Sequence, residues 1–167
     1  IENCTLYNAG GAASDAEIRL VLTSNGTIIN NTVNSYDENA IYMYECNNNT
    51  ITNNTITNNG PSQNAIYIRN ECSRNVISHN LIDGDDTSNT IGIHLYSGGD
   101  RSLTYDNVIY MNEIKDFTQG VSAMSLIKFN NISKNTIYSL SYWGIHYYNC
   151  NNTVVHENDI SDCSRAI

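Results

Sequence analysis

The sequence predicts an all-β solenoid, a parallel β-helix of about six complete three-strand rungs that forms one domain over residues 1–167. Three observations lead to this prediction. A pattern N-x-[IV]-x-x-N-x-[IV] recurs along the chain, a short alternating strand precedes most copies, and the composition includes 28 Asn and 21 Ile. Ile favours buried strands, whereas Asn favours turns and is a poor helix former, so strands and turns must alternate at short intervals.

The recurring pattern ends each time on an apolar residue, and these residues are spaced by 23 to 32 positions. Such a period is typical of a solenoid, in which each repeat forms one coil and buries its apolar face only by stacking on its neighbours. Complete copies cover 49–56, 75–82, 107–114 and 130–137, degenerate copies cover 26–33 and 153–160, and a partial copy covers 1–6.

A short strand with period-2 alternation precedes most copies, and we call it the first strand of each rung. With the two strands of the repeat it gives three strands of two to five residues per rung, and stacking places equivalent residues about 4.8 Å apart. No segment has the length and 3.6-residue periodicity that a helix needs. The predicted first strands are centred on Arg19, Tyr42, Tyr67, Gly92, Ser122 and His146.

One Asn of each copy falls at the tight turn between the second and third strands. We expect these Asn residues to form a ladder whose side-chain amides hydrogen-bond along the solenoid axis. The turn is also expected to need a positive φ angle, which Asn tolerates. The predicted ladder consists of Asn31, Asn54, Asn80, Asn112, Asn135 and Asn158.

The repeats resemble the NosD-like, CASH-type repeat of the pectin-lyase-like superfamily of right-handed parallel β-helices. The resemblance covers almost the whole chain and implies a right-handed coil. Relatives include polysaccharide lyases and hydrolases, epimerases, periplasmic accessory proteins and microbial surface proteins, so the fold alone does not imply one activity. In the enzymes of this superfamily the substrate groove runs along the outer face of the first strand.

The outward residues of the first strands form a stripe of Tyr, Arg and His along the predicted axis. Tyr rings offer flat apolar faces with a polar tip, which suits stacking on sugar rings. The alternative is that Tyr is simply a good strand residue. The candidate residues for binding a carbohydrate or a surface partner are Tyr42, Tyr44, Tyr67, Arg69, His94, Tyr96, His146 and Tyr148.

Candidates for catalysis are few. Glu45 and Glu71 end the first strands of adjacent rungs, and paired carboxylates can act as acid and base. Arg69 and His94 lie near them in rung order. The Asp clusters of the related hydrolases are missing, so no catalytic residue is assigned. A lyase or hydrolase acting along the first-strand groove remains the alternative function.

A metal site has one weak candidate, the acidic turn with Asp83, Asp85 and Asp86, whose oxygens suit Ca²⁺. A solvated acidic turn is the preferred interpretation, because the spacing does not match a known calcium loop. The four His residues have no zinc-ligand spacing and are interpreted as surface or turn residues. We therefore expect no cofactor.

The cysteines are odd in number, five in all, and Cys46 and Cys72 fall at equivalent places in adjacent rungs. Their expected Cα separation lies within the disulfide range. Stacked side chains of a parallel sheet point the same way, however, which strains such a bridge. A stack of two buried thiols is preferred over a disulfide, and both remain open.

N-glycosylation sequons are frequent, although most arise from the repeat itself. Equivalent sites on successive rungs would crowd their glycans at a spacing of about 4.8 Å, so at most alternate sites are expected to be occupied. The candidate sites are Asn3, Asn25, Asn30, Asn48, Asn53, Asn131 and Asn151.

The net charge of -9 argues against a partner whose phosphates must be neutralised, such as nucleic acid or an anionic membrane, and no apolar run is long enough for a spanning helix. No segment resembles a cap for either end of the solenoid, so we expect an excised segment of a larger surface protein or a subunit that stacks end to end. The predicted role is an extracellular or cell-surface module, structural or carbohydrate-binding. Its expected partners are a polysaccharide or other copies of the chain in a filament.

Overall fold

The protein is described by a computed structural model, which covers residues 1–7, 16–35, 38–58, 60–85, 88–98 and 103–167. It is a parallel β-solenoid of about six turns, and its described residues contain strands and no helix. Every strand pairs in parallel with its equivalent in at least one neighbouring rung. The prediction of an all-β parallel β-helix is therefore confirmed.

Three faces surround the core, and each consists of one strand from every rung. The first face contains β2 (Ala16–Val21), β5 (Asn39–Tyr44), β8 (Asn64–Arg69), β11 (Ile91–Tyr96) and the later parts of β13 (Glu113–Lys128) and β15 (Thr136–Asn151).

The second face is a six-stranded sheet made of the shortest strands. It contains β3 (Thr27–Ile29), β6 (Thr50–Thr52), β9 (Val76–Ser78), β12 (Val108–Tyr110), β14 (Asn131–Ser133) and β16 (Val154–His156).

The third face follows directly after the second along the chain. It contains β1 (Thr5–Tyr7), β4 (Thr32–Ser35), β7 (Thr55–Asn58), β10 (Leu81–Asp83), the first residues of β13 and β15, and β17 (Asp159–Ile160).

The prediction of strands no longer than five residues is wrong for β2, β5, β8 and β11, which have six residues each, and for β13 and β15, which have 16 residues each. In these two rungs the chain passes from the third face to the first without leaving the ladder, and Phe117 pairs with Leu140 on the way. Register shifts in the pairing mark the bends within the two long strands. The turn is still present, but it is a bend inside a continuous strand.

The core consists of columns of apolar side chains, most of them Ile, that run parallel to the axis. The third-face column begins at Leu6 and ends at Ile160, in the register that the repeat spacing predicts. Val33, Ile56, Ile82 and Ile114 have no solvent exposure. Each such side chain contributes roughly 1.5–3 kcal/mol through burial. Because no rung encloses these side chains alone, the stack of rungs is the unit that folds.

The predicted Asn ladder is present, and its amides connect all six rungs. Each Nδ2 donates to the Oδ1 of the next Asn, at 3.0 Å from Asn54 to Asn80 and 2.9 Å from Asn135 to Asn158. The same Oδ1 also accepts the backbone N–H of the preceding ladder residue, as Asn80 does from Asn54 at 3.0 Å. Asn54 and Asn112 are each only 2 % exposed, so these bonds satisfy polar groups that water does not reach.

A second ladder, which the sequence reading missed, lies at the turn between the first and second faces. It consists of the first Asn of the repeat pattern, and Nδ2 of Asn75 donates to Oδ1 of Asn107 at 2.9 Å. The signal was the first Asn that the four complete copies share, five positions before the predicted ladder residue. The members of the second ladder are Asn49, Asn75, Asn107 and Asn130.

The prediction that ladder Asn residues adopt positive φ is wrong. The positive φ angles fall one residue earlier, as at Asn30 (57°), Asn53 (54°) and His79 (55°). That residue is exposed and makes the sharp turn, which lets the next Asn point inward and bond along the axis. The residue before the ladder Asn has the left-handed backbone conformation that the turn needs. The ladder Asn itself supplies the inward-facing side-chain amide.

Replacing Asn80 with Ala should lower the free energy of unfolding by about 2–4 kcal/mol, because Asn54 and Asn112 lose buried hydrogen-bond partners. The midpoint of urea unfolding measures this loss. Asn53→Gly is the matched control, since Gly tolerates its φ of 54°. The control should change stability by less than about 0.5 kcal/mol. Equal effects of both substitutions would contradict the ladder's role.

Candidate functional site

The outward side chains of the first face form two columns along the axis, which together we call the first-strand face. Each column takes one residue from each rung, in the register of the parallel pairing. The predicted candidates therefore share one face. One column is Arg19, Tyr42, Tyr67, His94, Ser122 and His146, and the other is Val21, Tyr44, Arg69, Tyr96, Met124 and Tyr148.

The rings of the first-strand face contact one another from rung to rung. The Tyr67 ring stacks on the His94 imidazole with centroids 5.0 Å apart and an interplanar angle of 10°. Tyr42 meets Tyr67 edge to face at 5.6 Å, and His94 lies 5.8 Å from Tyr96. The Arg19 guanidinium lies 5.8 Å from the centre of the Tyr42 ring. These contacts hold the rings as one surface.

Exposure differs between the predicted binding residues. Tyr42 is only 4 % exposed, so its ring supports the face from beneath rather than presenting a surface to a ligand. Tyr44, Tyr67 and Tyr96 are half-buried, and Tyr148 is 65 % exposed. The stripe is also interrupted, because the rung between those of Tyr96 and Tyr148 carries Ser122 and Met124 in place of rings.

A second aromatic cluster, which the sequence reading missed, extends the face. The Trp143 ring stacks on the His146 imidazole at 5.0 Å and 12°, and Tyr142 meets Trp143 at 5.4 Å. The Arg165 guanidinium lies 4.8 Å from the Trp143 ring centre and 5.1 Å from that of Tyr142. Aromatic rings and a cation are thus present at both ends of the face.

Trp143 was missed because strict alternation places it inward with Ile145. In each first-face strand from β5 onwards, a small residue directly precedes the inward Ile or Val. This small residue also faces inward, so inward and outward positions do not alternate there. A Cβ added to Gly92 would lie 2.5 Å from Cγ2 of Ile114, so this position also faces inward and has no room for a side chain. Two successive inward residues bend the strand and turn Trp143 outward. The small residues are Ala40, Ala65, Gly92, Gly120 and Gly144.

Five buried polar atoms on this face have no hydrogen-bond partner among the described residues: Nε of Arg69, Nε2 of His94, Oγ of Ser122, Nδ1 of His146 and Oε1 of Gln119. Ser122 lies between the two His residues in the same column. Burial lowers the pKa of His94 to about 4, so its imidazole is neutral at pH 7. The interpretation of His94 as an ordinary surface residue is therefore wrong.

The candidate acid–base residues lie beside this face. Glu45 and Glu71 immediately precede Cys46 and Cys72, and both have positive φ angles, 53° and 40°. Glu45 is half-buried and Glu71 is exposed. Glu71 lines an open surface pocket with Asn47, Leu103 and Tyr105. The pocket lies at the turn after the first strand, and its lining includes neither Tyr67 nor His94.

The acidic turn forms an ion pair with a lysine of the same chain. Nζ of Lys115 lies 2.7 Å from Oδ2 of Asp83 and 3.1 Å from Oδ2 of Asp116, and these carboxylates raise the pKa of Lys115. Asp85 belongs to the same turn, whereas Asp86 lies outside the described residues. Over the described part of the chain, no three His, Cys, Asp or Glu side chains are grouped to hold a metal ion.

Cys46 and Cys72 are both fully buried, free and in adjacent rungs, the arrangement that the thiol-stack interpretation describes. The backbone N–H of Cys46 donates to Sγ of Cys72 at 3.3 Å. The hydrogen bond with the Cys46 thiol, and after it burial, raise the pKa of Cys72. The pair offers two soft ligands, which suffice only for a two-coordinate metal ion.

The predicted glycosylation sites lie mostly at exposed turns. Six of the seven sequon Asn residues are exposed, and Asn131 is half-buried. The pairing of Thr5, Thr32 and Thr55 places Asn3, Asn30 and Asn53 in one column. Occupancy of these sites stays a prediction.

Comparison with known families gives one match. Residues 1–121 match the family model described as "Periplasmic copper-binding protein (NosD)". The chain belongs to the NosD family. This description places the family in the periplasm, which is compatible with an extracellular or cell-surface location. No curated protein matches the chain significantly. The search for a helix long and apolar enough to cross a membrane, made over the described residues, found none.

Stability of this NosD-family chain should fall between pH 7 and pH 5 through His94. Its folded pKa of about 4 lies below the ordinary 6.5, so the unfolded chain binds the proton more strongly. The contribution of His94 to the free energy of unfolding is complete above pH 6.5 and is lost as the pH falls towards 4. The free energy of unfolding is then lower by about 2 kcal/mol at pH 5.

His94→Phe, which keeps a ring against Tyr67, should reduce this pH dependence. Urea unfolding at the two pH values measures the effect. The control is His79→Asn at an exposed turn, where other rungs carry Asn, and it should retain the dependence. A pH dependence unchanged by His94→Phe would show that His94 titrates alike in the folded and unfolded chain.

Proposed function

We propose that this chain is an extracytoplasmic, non-catalytic β-helix module that binds an acidic polysaccharide along the first-strand face. The observation that carries the proposal is the run of contacting rings, in which Tyr67 and His94 stack at 5.0 Å and Tyr96 lies 5.8 Å from His94. Backbone pairing holds these rings in a row, so little side-chain entropy is lost when a ligand binds to them. Tyr also combines an apolar face with a polar tip.

The charge of the face favours a glycan that carries carboxylates. The chain as a whole has a net charge of -9, yet the two outward columns contain no Asp or Glu among their twelve residues. Arg19 and Arg69 lie on the face, and Arg165 stacks on Trp143 at its end. Guanidinium groups pair well with carboxylates, so a uronate-containing chain suits this surface.

The unpartnered atoms of the face support a polar ligand. Buried polar groups in proteins are normally hydrogen-bonded, and a group without a partner points to water or a ligand. His94, Ser122 and His146 place such atoms in one column between the two aromatic clusters. Sugar hydroxyls both donate and accept hydrogen bonds, which matches a neutral imidazole and a hydroxyl.

A catalytic role is not part of the proposal. The candidate acid–base pair, Glu45 and Glu71, lies at the turn after the first strand, outside the two columns of the first-strand face. Copper binding, which the family description names, would here have no three-ligand group among the described residues. Assembly of copies into a filament stays a prediction on which this proposal does not depend.

Replacing Tyr67 and Tyr96 with Ala together should lower the affinity for polygalacturonate by roughly 5- to 150-fold, because each lost ring removes about 0.5–1.5 kcal/mol of contact. Isothermal titration at low salt measures this, with neutral dextran as the comparison glycan. The matched control is Tyr110→Ala, a half-buried ring on the second face that contacts His79. It should bind like the unmodified chain.

Three outcomes would contradict the proposal. One is the absence of binding to any acidic glycan, and the second is equal loss in the Tyr110 control. The third is binding that Tyr67→Ala with Tyr96→Ala leaves unchanged while circular dichroism shows a folded protein.

A further inference from the structure

The second face carries an open cavity between β12 and β16, with β14 as its floor, which we call the second-face slot. Tyr110, Ser133 and His156 occupy the same outward position in these three successive rungs. The two rings therefore stand two rungs apart, roughly 10 Å, with only a serine between them. The slot has a volume of about 330 Å³, at the lower end of the range for ligand pockets, which suits a single ring of a ligand.

Both rings that flank the slot are held by neighbouring side chains. The His79 and Tyr110 rings meet edge to face, with centroids 5.3 Å apart and an interplanar angle of 80°. Nδ1 of His156 lies 3.2 Å from Oε1 of Glu157. A ligand ring placed midway would lie about 5 Å from each protein ring, within the distances at which stacked rings interact. The slot therefore favours a ligand with one flat ring.

The lining of the slot includes a side-chain amide whose oxygen has no partner. Asn131 lies in the outward column beside that of Ser133, where the other strands of the second face carry Thr or Val. Its Oδ1 is buried and has no hydrogen-bond partner among the described residues, and such a group points to a ligand or to ordered water. The terminal torsion of Asn is soft, so the amide can turn Oδ1 towards a ligand, which must then supply an N–H or O–H donor.

The rim of the slot pairs a lysine with a carboxylate and has an apolar side. Nζ of Lys134 lies 3.5 Å from Oε2 of Glu157, and both side chains are exposed. Exposed pairs of this kind contribute little to stability, so the ammonium can also donate to a ligand. Met111, which is 45 % exposed, and Val108 supply apolar contact from the neighbouring rung. These groups suit a neutral ligand that carries a hydrogen-bond acceptor and a small apolar group.

We propose that the second-face slot binds one residue of an N-acetylated amino sugar. The pyranose ring fits between Tyr110 and His156, and the acetamido N–H donates to Oδ1 of Asn131. The acetamido oxygen accepts from the Lys134 ammonium, and the methyl group contacts Met111. A plain hexose lacks the apolar group, and a uronate adds a negative charge beside Glu157. The slot lies on a different face from the acidic-polysaccharide surface, and the inference does not rest on the function proposed above.

The test uses sugars that differ in the acetamido group. An isotope-labelled chain is titrated with N-acetylglucosamine, N-acetylgalactosamine, diacetylchitobiose and cellobiose, and the NMR shifts of the backbone amides are followed. Cellobiose is the matched ligand, because hydroxyls replace both acetamido groups of diacetylchitobiose. The chain is produced without N-glycans, since a glycan on the sequon residue Asn131 would fill the slot.

Two substitutions within the slot and one outside it complete the design. Asn131→Val removes the amide and introduces the residue that the adjacent strands carry at this position, so the midpoint of urea unfolding should not fall. Tyr110→Ala removes one of the flanking rings. Thr50→Val is the matched control, since Thr50 lies in the same outward column as Asn131 but does not line the slot.

Diacetylchitobiose is expected to shift the amide signals of Tyr110, Ser133 and Lys134. Cellobiose should bind roughly 5- to 150-fold more weakly, because the two hydrogen bonds of the acetamido group are lost. Asn131→Val and Tyr110→Ala should each lower the affinity for diacetylchitobiose roughly 2- to 12-fold. Thr50→Val should bind like the unmodified chain, and all three variants should retain their affinity for polygalacturonate.

A further titration with N-acetylated chitotetraose separates the two sources of the same chemistry. An affinity at least equal to that of the disaccharide would assign the slot to a residue within a longer glycan, whereas binding of the monosaccharides alone would assign it to a free sugar.

Absence of binding of every N-acetylated sugar to the folded chain would overturn the proposal. Equal affinity for cellobiose, or shift changes confined to the first-strand face, would do the same. Where Tyr110→Ala does not fold, Asn131→Val decides, and an unchanged affinity in that folded variant would contradict the site.

Discussion

The side-chain amides of inward-facing Asn residues impose the constraint on which the rest of the molecule depends. Each Oδ1 accepts both the backbone N–H and the Nδ2 of the Asn in the preceding rung, as Asn80 does from Asn54. These bonds are buried, so a slipped register would leave several polar groups without partners. The rungs can therefore stack in one register only. Two such ladders at successive turns, with members such as Asn80 and Asn75, fix each rung at two corners.

Because the register is fixed, the position of a residue within its repeat determines which residues of the neighbouring rungs it contacts. Residues separated by a whole repeat become neighbours, which is why Tyr67 and His94, 27 positions apart in the chain, stack at 5.0 Å. The same rule brings Cys46 and Cys72 together inside the core. Insertions of different length are absorbed at the turns, so the outward columns continue through rungs of 23 to 32 residues. The aromatic face and the buried thiol pair thus both result from the fixed register.

The sequence was sufficient for the fold and for most of the face, because period-2 strands and the repeat spacing determine which residues stack. It was insufficient where local geometry departs from the period. Trp143 escaped prediction because the small residue Gly144 lets two successive positions turn inward. The long strands β13 and β15 hide a bend that a turn signal would normally mark. The burial of Tyr42 and His94 depends on neighbouring side chains from other rungs, which no single repeat reveals.

Hydrogen exchange of side-chain amides, followed by NMR, tests the ladder most directly. The Nδ2 protons of Asn54, Asn80 and Asn112 should exchange as slowly as the backbone amides of the buried strands, because they open only when rungs separate. The exposed Asn30 and Asn53 provide fast-exchanging references within the same molecule. Exchange of the ladder amides at the rate of these references would contradict the account, since the rungs would then be held in register by some other interaction.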